Sequence, residues 1–150
     1  MGKVTLRKDE VKEIGEKLSV FGFNISKNDK IEVIDGLVVS VNNVKSFFYM
    51  HGRIVPSLKL ALEGKVALKK IAVDMGAVKF VVGGADIMRP GIVEVDESIQ
   101  KNEVVAIVDV NNHKPLAIGE ALFSGVEMKQ MATGKAVKNL HFVGDKLWNL

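Results

Sequence analysis

The stretch from Asp74 to Ile92 constrains the fold more than any other part of the sequence, because glycines interrupt it twice. Asp74 is placed to cap a short helix, since its carboxylate can accept backbone N–H groups of the first turn. The apolar residues that follow end at Gly83-Gly84, where left-handed backbone geometry carries no steric penalty. The pattern predicts a helix, an abrupt stop, an extended segment at Ile87-Met88 and a turn at Arg89-Pro90-Gly91.

Spacing alone leaves two interpretations of this stretch open. In the first, the glycines only end a helix and allow a turn, which is their commonest use. In the second, Gly83, Gly84 and Gly91 form a surface that a ligand backbone can approach closely, because these residues carry no side chains. Arg89 would then supply a basic group beside that surface.

The sequence after this stretch predicts short strands and one helix. Residues 103–109 and 116–122 are β-branched or alternating segments, and turn-forming residues at 111–115 separate them. Ser124 and Glu127 form a capping box, which marks the start of a short helix.

The end of the chain is expected to close a barrel. Residues 137–140 and 141–148 supply the closing strands, with Trp148 as a buried plug of the last one. Short strands with a helix at two corners are typical of a small, partly open β-barrel.

The N-terminal part opens with a strand and a helix. Residues 3–7 alternate between apolar and polar, which places Val4 and Leu6 inward. Asp9 is the expected N-cap of a helix that continues to Leu18.

An antiparallel meander follows that helix. Asp35-Gly36 favours a tight hairpin turn within residues 31–41, and residues 46–50 form a third strand. Pro56 is expected to open a second helix, as proline does at a first helical position, and Glu63-Gly64 to end it.

These elements predict an α+β protein of two domains. A small strand–helix–meander domain covers residues 1–66, and the β-barrel with two short helices covers residues 67–150. The first domain has eleven basic and eight acidic residues and so carries the whole net charge of +3, whereas the second is neutral. A neutral domain can bind nucleic acid only through a local groove that places a few cations against phosphates.

Several classes of function lack their sequence signals. The chain has no cysteine, and its three histidines are far apart without metal-ligand spacing. Neither a dinucleotide fingerprint nor a nucleophile elbow occurs. No apolar run reaches the roughly 18 residues that cross a bilayer. We therefore expect a cytoplasmic protein without catalytic activity, cofactor, metal site or membrane contact.

Three blocks of sequence together resemble the PUA domain, a small RNA-binding barrel. They are the Asp74–Ile92 stretch, Gly134-Lys135-Ala136-Val137, and the closing segment from His141 to Trp148. Residues 47–49 and 56–60, with the final Asp145-Lys146-Leu147-Trp148, are similar to the MCT (malignant-T-cell-amplified sequence) family and its archaeal relatives. The resemblance implies a translation-associated protein that binds structured RNA, tRNA or small-subunit rRNA, on the small ribosomal subunit. It also implies a partner with an initiation-factor-like domain.

The resemblance further implies where the RNA lies. The groove is expected between the helix after Asp74, the extended segment that follows it, and the closing strand. Lys79 and Arg89 would contact phosphates, the glycines and Ala85 would form the close-approach surface, and His141 would stack or donate a hydrogen bond. The full set of candidate RNA-binding residues is Lys79, Gly83, Gly84, Ala85, Asp86, Met88, Arg89, Pro90, Gly91, Ile92 and His141.

Two other functions are compatible with the sequence. The chain can be a separate specificity module that recruits a tRNA- or rRNA-modifying enzyme. It can also be a protein-interaction adaptor in which the barrel serves for docking.

Overall fold

A computed structural model describes residues 2–150, and these residues form two compact units. The first unit ends at Ala67 and the second begins at Leu68. Each unit has its own antiparallel or mixed β-sheet with helices beside it, as the predicted α+β class requires. Within the described residues no helix is long and apolar enough to cross a membrane.

The first unit is a five-stranded antiparallel sheet in the order β1-β2-β3-β4-β5. Phe47 lies in its core, where the ring of Phe23 meets it edge-on with 5.1 Å between centroids. Asp35 and Gly36 both have positive φ, which confirms the predicted hairpin turn. The elements are β1 (Lys3–Thr5), α1 (Lys8–Ser19), β2 (Ile31–Ile34), β3 (Val38–Val41), β4 (Val44–Met50), β5 (Arg53–Pro56) and α2 (Leu58–Leu62).

Three local predictions for this unit were wrong. Val4 is exposed rather than inward. Helix α1 begins at Lys8 with Arg7 as N-cap instead of Asp9, because the Glu10 carboxylate accepts the Arg7 backbone N–H at 3.0 Å. Pro56 ends β5 and does not open a helix.

The cap of α2 explains the last of these differences. Ser57 is the N-cap, and its hydroxyl accepts the backbone N–H of Leu60 at 3.2 Å. A hydroxyl cap one residue after the proline satisfies a first-turn donor that the proline ring cannot.

The second unit is a six-stranded sheet that forms a nearly closed barrel, in the order β7-β11-β10-β9-β6-β8. All neighbours are antiparallel except β6 and β9, whose parallel register sets Ile71 beside Ile107 in the core. The elements are β6 (Lys70–Val73), α3 (Met75–Val81), β7 (Ile87–Met88), a 3-10 turn (Arg89–Gly91), β8 (Ile92–Val95), β9 (Val104–Asp109), β10 (Pro115–Ala121), α4 (Gly125–Gln130) and β11 (Lys135–Phe142).

The caps predicted for this unit are confirmed, but its end is different. Asp74 caps α3, and Ser124 with Glu127 caps α4. One strand, β11, replaces the two expected closing strands, and the chain then turns. Trp148 lies half-buried in these turns and is not a plug in a strand.

Asp145 holds the turn after β11 in place. Its Oδ2 lies 2.8 Å from Nδ1 of the buried His141 and accepts the backbone N–H of Phe142 at 2.9 Å. Its Oδ1 accepts the backbone N–H of Trp148 at 2.8 Å. Partial burial opposes ionisation of Asp145, but these hydrogen bonds outweigh burial, so its pKa lies below the usual value.

Gly84 fits the chain closely against β11. Its φ is +93°, and a Cβ atom built on it would lie 2.8 Å from Cε1 of Phe142. A side chain here would be strained twice, by backbone geometry and by contact with the ring. The segment after α3 therefore needs glycine to pack on β11.

Replacing Gly84 with alanine should lower stability more than the matched change Gly144→Ala. Gly144 has a similar φ of +87° but open space around a built Cβ atom. Both variants should lose about 1–2 kcal/mol from the backbone geometry. Gly84→Ala should lose roughly 1–3 kcal/mol more from overpacking against Phe142. Urea unfolding of both variants measures the difference, and equal losses would show that the ring moves aside freely.

Replacing Asp145 with asparagine should destabilise the protein by about 1–3 kcal/mol near neutral pH. The folded-state pKa of Asp145 is lowered, so its contribution is present above the ordinary carboxyl pKa of about 3.9 and is lost as pH falls through the lowered value. The gap between wild type and Asp145→Asn should therefore narrow below about pH 4. Thermal melts across pH test this, with the exposed Asp9→Asn as control. A gap that stays constant with pH would contradict the account.

Candidate nucleic-acid interface

A backbone hydrogen bond joins the two ends of the segment from Asp74 to Gly91. The Asp74 backbone N–H donates to the Gly91 carbonyl at 2.9 Å. Asp74 Oδ1 accepts the Ala77 N–H at 2.8 Å and so starts α3 at the same point. A built Cβ atom on Gly91 would lie 3.1 Å from the Ala77 Cβ, so glycine lets the 3-10 turn approach the helix.

The end of α3 is tied to β11 by Asn139. Its Nδ2 donates to the carbonyls of Val81 and Ala85, each at 3.0 Å. Its backbone N–H donates to Asp86 Oδ1 at 2.8 Å. One residue of the barrel thus holds both the last turn of the helix and the residue that precedes β7.

A cleft lies between α3 on one side and β7 with the 3-10 turn on the other. Its volume is about 430 Å³, and most of the residues around it are apolar or have no side chain. It is lined by Asp74, Gly76, Ala77, Phe80, Val81, Ala85, Asp86, Ile87, Met88, Pro90 and Gly91.

Large apolar side chains stand exposed at this cleft. Phe80 and Met88 line the cleft and are 60% and 49% exposed. Met75, at the start of α3 but outside the lining, is 50% exposed. Clustered exposure of such side chains is uncommon on a soluble surface and marks interaction sites. An aromatic ring and thioethers are also groups on which a planar base can pack.

Lysines surround the same surface. Lys79 Nζ lies 5.2 Å from the centroid of the Phe80 ring. Lys135 Nζ lies 2.9 Å from Asp86 Oδ2, and the exposed Lys138 also interacts favourably with that carboxylate. The second unit is neutral as a whole, but three of its ten cations lie on α3 and β11.

The Asp86 carboxylate remains charged among these lysines. Partial burial opposes its ionisation, but the hydrogen bonds from Lys135 and from the Asn139 N–H outweigh burial and lower its pKa. Asp86 therefore holds Lys135 in place and removes part of its charge from the surface. Among the described residues, neither Lys79 nor Lys138 has an acid within ion-pair distance, although Asp86 attracts Lys138 from further away. Both lysines are exposed, so both can contact a phosphate.

The structure brings many of the predicted site residues together. Ala85, Asp86, Met88, Pro90 and Gly91 line the cleft. Lys79 and Gly83 are exposed, on α3 and just after it.

Four other predicted site residues are buried or make contacts within the protein instead. Arg89 Nε donates to the Met128 carbonyl at 2.6 Å and its Nη1 to the Ile92 carbonyl at 3.0 Å, so the guanidinium joins α4 to β8. Ile92 is buried, and Gly84 packs on Phe142. His141 is 1% exposed, so the expectation that it stacks on RNA was wrong.

Met75, Phe80, Lys138 and Asn139 were missed by sequence reasoning. Phe80 was counted only among the apolar residues of the predicted helix, Met75 was given no role, and only the burial of α3 shows which face is open. Asn139 gives no local signal, because its partners lie more than fifty residues earlier.

The described residues contain no cluster of three potential metal ligands. His113 Nε2 lies 3.0 Å from the exposed Glu94, and His141 is paired with Asp145. These two histidines thus have separate local partners.

The family pattern of the PUA domain matches residues 69–143, which contain the cleft. An uncharacterized protein of Methanocaldococcus jannaschii is 42% identical, over 96% of this chain and 93% of its own. Translation machinery-associated protein 20 of Saccharomyces cerevisiae is 34% identical, over 97% of this chain and 86% of its own. Malignant T-cell-amplified sequence 1 of Danio rerio is 30% identical, over 75% of this chain and 65% of its own.

Solved structures show the same likeness. A hypothetical protein from Pyrococcus horikoshii has a TM-score of 0.83 at 34% identity and covers 98% of both chains. The archaeal box H/ACA sRNP Nop10-Cbf5 complex contains a chain with a TM-score of 0.52 at 30% identity, over 65% of this chain and 30% of that one. The arrangement of strands, the capped helix α3 and these relatives lead to one assignment. This chain belongs to the PUA-domain family that includes translation machinery-associated protein 20 and malignant T-cell-amplified sequence 1.

Proposed function

We propose that this protein binds structured RNA in the cleft between α3 and β7 and acts in translation without catalysing a reaction. The observation that carries the proposal is that Phe80 and Met88 stand exposed in the lining of the cleft while two exposed lysines lie near lining residues. Lys79 lies over the Phe80 ring, and Lys138 acts electrostatically on Asp86. Unstacked bases can pack on the exposed ring and thioether, and nearby lysines can bind the phosphates.

The geometry favours an RNA end or an unpaired segment over a continuous duplex. Bases stacked inside a helix are covered, so a surface with an exposed ring and thioethers needs bases that are splayed out. A cleft of about 430 Å³ is large enough for one or two such groups and far too small for a helix. The phosphates next to these bases would lie against the lysines.

The relatives support a role for this binding in translation. Translation machinery-associated protein 20 is named for that machinery and shares nearly the whole length of this chain. The RNA in our proposal is tRNA or small-subunit rRNA in the cytoplasm, during initiation or recycling. A protein partner with an initiation-factor-like domain would act beside it.

A second candidate function follows from the likeness to the box H/ACA complex. In that case the second unit would recruit an RNA-modifying enzyme to its substrate. Sequencing of RNA crosslinked to the protein in cells separates the candidates. Reads from small-subunit rRNA or initiator tRNA support translation, whereas reads concentrated at modification sites support recruitment.

Single substitutions should separate the lysines from the aromatic ring. Lys79→Ala and Lys138→Ala should each weaken binding to a tRNA transcript and reduce the salt slope of log K by about 0.7–0.9, since each removes one phosphate contact. Phe80→Ala should weaken binding by about 1–3 kcal/mol with the slope unchanged, because it removes stacking and no charge. Titrations at several salt concentrations measure both quantities.

The matched control is Lys114→Ala, an exposed lysine in the turn between β9 and β10. It should leave affinity and slope unchanged. A wild-type slope that corresponds to ten or more contacts, or an equal effect of Lys114→Ala, would contradict binding through a local cleft.

A further inference from the structure

We infer that a groove in the first unit binds an acidic protein segment with aliphatic side chains, separately from the RNA cleft. The groove lies between α1 and the segment of residues 24–29 and has a volume of about 630 Å³. It is larger than the cleft beside α3, and the proposed RNA function makes no use of it.

The floor of the groove is aliphatic. Leu6, Val11 and Ile25 line it and are half-buried. Gly15 brings α1 close to the 24–29 segment, since a built Cβ atom would lie 3.2 Å from Ile25 Cγ1. The floor is thus a shallow apolar channel along a helix of 12 residues, about 18 Å long at 1.5 Å per residue.

The rim of the groove is basic. Lys8, Lys12 and Lys27 line it, all three are exposed, and none pairs with an acid among residues 2–150. Two acids also line the groove, Glu16 and Asp29. Asp29 accepts the Ser26 backbone N–H at 2.8 Å and the amide of Asn42 at 2.9 Å, which fixes its position and keeps it charged. Lysines therefore outnumber acids in the lining by three to two.

These features favour a protein segment over RNA. Among residues 2–150, no aromatic or arginine side chain lines the groove, although RNA sites use such groups to stack bases and bind phosphates. Aliphatic floors accept Leu, Ile or Val side chains, and lysines on the rim attract Glu or Asp on either side of them. An amphipathic acidic helix, or a strand of similar length, satisfies both requirements.

The test uses the full chain and a fluorescein-labelled helical peptide of Glu and Leu, with a Lys and Leu peptide of the same pattern for comparison. The acidic peptide should bind saturably by fluorescence anisotropy. The double variant Lys12→Glu/Lys27→Glu should weaken it by about tenfold or more. The control Lys17→Glu/Lys45→Glu reverses two exposed lysines outside the groove and should leave it unchanged. Amide NMR shifts caused by the peptide should map to α1 and residues 24–29.

The proposal is overturned if the Lys and Leu peptide binds as well as the acidic one, or if both double variants behave alike. It is also overturned if Lys12→Glu/Lys27→Glu abolishes binding of the tRNA transcript while the acidic peptide does not bind, since the groove would then be an RNA surface. Substitutions at Lys79 and Phe80 should leave peptide binding intact. The two proposals can therefore fail independently.

Discussion

The candidate interface depends on the attachment of the end of α3 to β11. Asn139 donates hydrogen bonds to the carbonyls of Val81 and Ala85 and to the carboxylate of Asp86. Gly84 packs against Phe142 on the same strand. These contacts fix the distance between α3 and β7. Because the helix is anchored at its end and by the closure of Asp74 on Gly91, its outer face does not need to pack on the barrel. That leaves Met75 and Phe80 exposed beside an open cleft.

Charge is arranged locally in both units. The second unit has no net charge, but Asp86 forms its ion pair with Lys135, and the exposed Lys79 and Lys138 form no ion pair among the described residues. In the first unit, three lysines and two acids line the groove, and none of these lysines forms an ion pair among the described residues. The two surfaces also differ in their apolar groups, since an aromatic ring and a thioether line the cleft and aliphatic side chains line the groove. This difference is the physical reason for assigning them to different classes of ligand.

Local chemistry allowed much of the fold to be predicted. The Asp74 cap, the Asp35-Gly36 turn and the Ser124–Glu127 capping box depend on residues a few positions apart, and all three were confirmed. The predictions that were wrong concern residues whose contacts lie far away in the sequence or whose local contacts compete with the predicted one. His141 was assigned to the surface, but Asp145 and the barrel core surround it. Arg89 looked like a free cation, and its hydrogen bond to Met128 spans 39 positions of sequence.

Ultraviolet crosslinking of the full chain to a tRNA transcript, followed by mass spectrometry of the crosslinked peptides, tests the central claim most directly. We expect crosslinks in residues 74–91 and 135–139, with Phe80 and Met88 among the modified side chains. Phe80→Ala should reduce these crosslinks, because it removes the exposed ring on which a base packs. Crosslinks confined to residues 2–67 or to α4 would show that RNA binds elsewhere and would contradict the assignment of the cleft.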